Sequence, residues 1–179
     1  MRFSFTFRLA RRFSPVLKIA AALLLVFVLT AEIVDRVEIA IGHEVITASQ
    51  VEEELRVAAL LNHAPLEINP AARRAAAGRL VQQFLIAREI EVSHFPPPDA
   101  KDVAAYEQSV EKDFGGATGL ARALAAYNVS QPVLDRHLAL QLRILRFTEF
   151  RFPTDEALNI WLEEARKRFK IVYLNKALQ

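Results

Sequence analysis

Residues 34–56, VDRVEIAIGHEVITASQVEEELR, decide the fold. Val34, Val37, Ile39 and Ile41 are β-branched and separated by polar or small residues, the near-alternation of a half-buried strand. Gly42-His43-Glu44 supplies a turn in which Gly42 can take a positive φ, and Val45-Ile46 forms a short return strand. Thr47-Ala48-Ser49-Gln50 then reads as a capping box. The Thr47 hydroxyl accepts from the Gln50 backbone N–H while the Gln50 side chain reaches back, so a helix is predicted from Ala48.

Three pieces of this region, Val34-Asp35-Arg36-Val37, Glu44-Val45-Ile46-Thr47 and the Glu-rich helix start Val51 to Leu55, resemble the N-terminal domain of SurA-type periplasmic chaperones. That group lies within the wider set of parvulin-type prolyl isomerases and trigger-factor-like peptide binders. Gly42-His43 departs from the Asn with Asp or Gly usual in the family's turn, and the resemblance continues to about residue 150. It implies a helical chaperone domain that holds unfolded or extended envelope polypeptides in an apolar groove. Relatives commonly carry a parvulin domain of about a hundred residues after the helical one. The sequence ends at Gln179, so the expectation is binding without catalysis, the alternatives being an active prolyl isomerase or a membrane-anchored envelope interaction subunit.

The first 31 residues set the expected compartment. Arg2, Arg8, Arg11, Arg12 and Lys18 precede the apolar run IAAALLLVFVLTA at 19–31. That run is short for a transmembrane helix of about 20 residues but suits the apolar core of a signal peptide. Residues 1–31 are therefore read as a signal peptide or a retained membrane anchor; Leu29, at the minus-three position of a cleavage after Ala31, weakens that site. Residues 32–179 are expected to form the binding domain, in the periplasm or cell envelope, touching a membrane only through the leader if it is uncleaved.

Five of the 23 basic residues and none of the 21 acidic ones lie in residues 1–31, so the remainder is net −3. Its charge makes no case for a nucleic-acid partner. Arg166-Lys167-Arg168 and Lys170 read as the solvated end of a helix, complementing its dipole. With no cysteine, stability rests on apolar burial in a single core.

The remaining sequence reads as helices. The first runs to about Asn62, with Val51, Leu55, Ala58 and Ala59 on its apolar face and Glu52, Glu53 and Glu54 on a solvated side. Asn69-Pro70 starts a second helix, with Leu80, Val81, Phe84 and Leu85 facing the core, running toward Val92; Phe95-Pro96-Pro97-Pro98 ends it. Asp99 caps a third helix that stops at Gly115-Gly116, and a fourth spans 117–127 before Asn128. The fifth, about 131–150, carries the stripe Leu134, Leu138, Leu142 and Leu145, widened by Leu140, Ile144 and Phe147, which suits the centre of a bundle. Thr154 or Asp155 starts a sixth helix, and KIVYL at 170–174 reads as a strand that completes the sheet begun by the hairpin. The expected class is α+β, mostly helical, with the N-terminal hairpin closed by a C-terminal strand.

Chemistry-bearing motifs are sparse. His43, His63, His94 and His137 lack the spacing of a metal site on one helix, Ser93-His94 has no elbow or acid partner, and Gly115, Gly116 and Gly119 lack the context of a phosphate loop. No cofactor is expected. Phe114, Tyr127, Phe147, Phe150 and Phe152 are more aromatics than the connecting regions of a small bundle require. They are the candidate peptide-binding residues, with core packing as their alternative use.

Overall fold

A computed structural model describes residues 35–179. The leader at 1–31 and Val34 of the expected strand lie outside the described residues. Among the described residues the fold is α+β: a three-stranded antiparallel sheet and six α-helices.

Strand β1 (Val37–Ile41) and strand β2 (Glu44–Thr47) form the hairpin. Its turn is shorter than the sequence suggests. Gly42-His43 alone reverses the chain, with Gly42 at φ +61°, and Glu44 already pairs with Ile41. Strand β3 (Ile171–Tyr173) pairs with the other edge of β1, giving the order β2-β1-β3 and joining the two ends of the domain. The register sets Ile39 opposite Tyr173 and Ile41 opposite Ile171. Two further backbone amides, Leu174 and Asn175, donate to the Glu38 carbonyl.

The ladder between β1 and β2 slips between Val37 and Ile39, leaving Glu38 as the extra residue. A bulge re-aims a side chain, and here Glu38 is fully buried like its neighbour Ile39. Its Oε1 meets Arg36 at 2.6 Å and Arg73, on the second helix, at 3.6 Å.

Helix α1 (Ala48–Leu61) begins at the anticipated capping box: Thr47 N donates to Gln50 Oε1 at 2.8 Å and Gln50 N to Thr47 Oγ1 at 3.4 Å. The carboxylate of Asp35 accepts from the N–H and the hydroxyl of Ser49, pinning the segment before β1 to the same helix end. Helix α2 (Pro70–Val92) starts with Asn69 Oδ1 accepting from Ala72 N at 2.8 Å. Helix α3 (Ala100–Asp113) departs from expectation: Asp99 occupies the cap position, but its side chain makes no cap bond and its carbonyl takes the N–H of Asp102 and Val103. Helix α4 (Ala117–Tyr127) follows the Gly115-Gly116 turn. Gly119 within it is obligatory, because a Cβ there would stand 1.8 Å from the Phe114 carbonyl oxygen. Asn128, left-handed at φ 53°, stops α4. Helix α5 (Gln131–Arg151) and helix α6 (Asp155–Arg168) complete the set, the last turn of α6 holding Arg166, Lys167 and Arg168.

Two apolar clusters hold these elements. The first joins Ile39, Ile41 and Ile46 of the sheet to Val51 and Leu55 of α1, one face of α2, Phe147 of α5, and Leu162 and Ala165 of α6. The second joins Val57 and Leu60 of α1 to Val110, Leu120, Leu124, Leu134 and Leu138. Helices α1 and α5 therefore each cross from one cluster to the other.

That crossing corrects two sequence-based expectations. On α1, Val51 and Leu55 are buried as expected, but Val57 and Leu60 rather than Ala58 and Ala59 complete the buried face, and Glu54, expected on a solvated side, is 4% exposed. A helix packed against two clusters buries a wider arc than one stripe. On α5, Leu134, Leu138 and Phe147 are buried but Leu145 is 49% exposed, so the helix is central only in part.

Candidate peptide-binding groove

Where α5 passes between the clusters, its flank is open. From Leu138 in one cluster to Phe147 in the other, α5 faces a depression walled by α2 and α3. The apolar end, ≈ 390 Å³, is lined by Ile86 of α2, Ile144, Leu145 and Thr148 of α5, and Leu158 of α6. The polar end, ≈ 370 Å³, is lined by Glu54 of α1, Asp113 and Phe114 around the end of α3, and His137 of α5. Arg79, Gln83, Tyr106 and Gln141 line both, so the two ends adjoin at these side chains.

The floor of the polar end is a charged node. Glu54 Oε1 accepts from Arg79 Nε at 2.6 Å, and Oε2 accepts from Gln83 Nε2 at 3.4 Å. A buried carboxylate requires such partners. His137 Nδ1 lies 3.8 Å from Glu54 Oε2, too far for a hydrogen bond, and the imidazole is 11% exposed. Burial pushes the His137 pKa below its ordinary value, against the attraction of Glu54 and with the repulsion of Arg79. Where the two ends meet, Tyr106 Oη donates to Gln141 Oε1 at 3.4 Å, and Arg146 Nη2 donates to Asp102 Oδ2 at 2.7 Å; both ties join α3 to α5.

A pH dependence of stability follows. Because the folded protein holds His137 below 6.5, the unfolded chain binds this proton more readily. Stability from this group is complete above the unfolded value and falls as pH drops through 6.5 toward the folded value. Asp35, held low by the Ser49 hydroxyl, and Glu164, held low by Lys167, lose their contributions only in the carboxylate range below. Thermal denaturation between about pH 7 and pH 5.5 should thus show a slope that His137→Gln flattens; equal slopes in both proteins contradict it.

The five aromatics singled out in the sequence do not form one surface. Phe147 is 1% exposed and belongs to the core, where its ring stands 5.4 Å from Phe95 and 6.3 Å from Phe152. This corrects its assignment as a peptide contact. Phe152 is held between Phe147 and Trp161, with the Arg151 guanidinium 5.6 Å away. Tyr127 donates its hydroxyl to the Ala64 carbonyl at 2.7 Å, fastening the loop after α1 to α4. Phe150 is 76% exposed and leans on Phe95. Only Phe114, its ring 4.5 Å from that of His63, lines the groove.

The residues that build the groove were overlooked in the sequence, yet it carries a signal for them. Arg79 with Gln83 and His137 with Gln141 are polar pairs at i, i+4, each setting two hydrogen-bonding side chains on one helix face. Among the described residues, no group of three or more His, Cys, Asp or Glu side chains is arranged to hold a metal ion, and no helix is long and apolar enough to cross a membrane. No family model, curated protein or solved structure matches this chain.

Proposed function

We propose that this protein binds extended, unfolded polypeptide in the groove between α2, α3 and α5, as an exported chaperone-like domain of the SurA type that performs no catalysis. The observation that carries this reading is the groove's composition. Apolar walls of Ile86, Ile144, Leu145 and Leu158 stand beside Arg79 and five neutral hydrogen-bonding side chains, Gln82, Gln83, Gln141, Tyr106 and Thr148. A peptide backbone has a donor and an acceptor at every residue and carries no net charge. Amide and hydroxyl side chains, which can donate or accept, serve it without regard to sequence, while the aliphatic walls take one or two apolar side chains.

The dimensions agree. From His137 to Thr148 the helix rises about 16 Å, the length of about five extended residues. Each encounter is then a short segment held weakly, as suits a partner that must let its client go.

Two assays test the reading. Near-stoichiometric protein should suppress aggregation of an unfolded outer-membrane-type polypeptide, and the effect should persist in moderate salt, because apolar contacts are not screened as charges are. Proline-limited refolding of a model substrate should not accelerate at catalytic concentrations of the protein. Undiminished aggregation would remove the binding half, and acceleration the non-catalytic half.

A further inference from the structure

The three members of the buried node beneath the groove, a carboxylate, a guanidinium and an imidazole, have unequal freedom. Glu54 is held by Arg79 on one oxygen, while its other oxygen has only a long contact from Gln83 and faces His137 at 3.8 Å. A movement of about 1 Å would bring a protonated imidazole into a charge-assisted hydrogen bond with that oxygen. Two cations would then share one buried carboxylate, and an uncompensated buried charge is costly. His137 is 11% exposed and fixed on α5; Arg79 is 40% exposed and has a long side chain that can leave.

We propose that Glu54, Arg79 and His137 form a pH-operated gate of the groove: protonation of His137 draws Glu54 to the imidazolium and releases the Arg79 guanidinium into the passage between the polar and apolar ends, expelling bound polypeptide. The inference rests on the peptide-binding reading of the groove. Arg79 lines both ends, so its released head occupies the space that a continuous segment must cross. Asp113, the other carboxylate lining the polar end, stands on α3 and gives the guanidinium a destination.

The remaining charges do not defeat the exchange. Glu53, the next acid of α1, favours protonation of His137, but it is half-exposed and lies 3.6 Å from Arg136, so its field is screened. Tyr106 faces the site from α3 as a neutral hydroxyl bonded to Gln141, and His63, from the loop after α1, stacks on Phe114. Proton and peptide are thereby competitors, and linkage makes the competition reciprocal.

The test uses the full chain, isotope-labelled, with NMR following the Arg79 Nε–H and the His137 imidazole from about pH 8 to pH 5, and titrations of an unfolded, apolar-rich peptide at both ends of the range. The hydrogen-bonded Arg79 Nε–H signal is expected to disappear in step with His137 titration in the wild type and to persist in His137→Gln. Peptide affinity should fall about fivefold or more on acidification in the wild type and stay flat in His137→Gln. An Arg79 signal unchanged through the His137 titration overturns the gate whatever the peptide does, as does an equal loss of affinity in the variant. Peptide that binds at neither pH contradicts the peptide reading instead, and the ligand-independent Arg79 signal still decides for or against the gate.

Discussion

Deletion of residues 169–179 is expected to destabilise the whole domain by about 5 kcal/mol or more, a large part of the total for a protein of this size. The segment contains β3 and the turn that buries Leu178, and Phe169, Ile171 and Tyr173 pack on the first cluster. Its loss also frees backbone groups: the Glu38 carbonyl loses Leu174 and Asn175 as donors, and Gly42 N loses the Lys170 carbonyl. What remains of the sheet is a two-stranded hairpin, marginal by itself. Since β1 sits between β2 and β3 and carries Ile39 and Ile41 into the core, the damage cannot stay at one end. Denaturation of the truncated protein should show a strongly lowered midpoint or no cooperative transition. An unchanged melting temperature would contradict the structure of the sheet.

The second large effect is expected at Phe147. Replacing this buried ring with alanine removes its contacts with Phe95 and Phe152 and leaves a cavity in the first cluster, at a cost of about 3–5 kcal/mol. Phe150→Ala, three residues on and mostly exposed, should cost about 1 kcal/mol or less, the scale of its single aromatic contact with Phe95. Urea denaturation of the two variants gives the comparison directly. Similar losses would mean that α5 is not oriented as described.

The contrast between these two phenylalanines shows what was legible in the sequence and what was not. Signals confined to a few neighbouring residues were read well: Thr47 to Gln50 as a capping box, Asn69-Pro70 as a helix start, Asn128 as a stop, and KIVYL as the closing strand. The caps and the stop work through backbone groups within about four residues, so they need no tertiary information; the closing strand was legible because its β-branched run was the one remaining strand candidate for the hairpin's open edge. The aromatics could not be sorted in this way. Their number measures how much apolar surface must be covered, whereas their burial depends on which flank of α5 meets α2 and α6. Glu54 was misplaced for the same reason. In sequence it is the third of three glutamates, but its partners, Arg79 and His137, lie 25 and 83 positions away, and nothing local marks it as the one that turns inward. The groove, being the seam between two clusters, is a property of how helices cross rather than of any one helix.

Peptide binding at that seam is the central claim, and its most direct measurement is a titration of the protein with unfolded, apolar-rich peptides, comparing the wild type with Leu145→Asp. Leu145 lines the apolar end and is half-exposed, so the change should leave the fold intact, which a parallel melt verifies, while setting a charge against the client's apolar side chain. Binding is expected to be micromolar, to tolerate moderate salt and to weaken by about tenfold or more in Leu145→Asp, a difference of about 1.4 kcal/mol. Equal binding by the two proteins, or no binding by either up to high micromolar concentration, would contradict it.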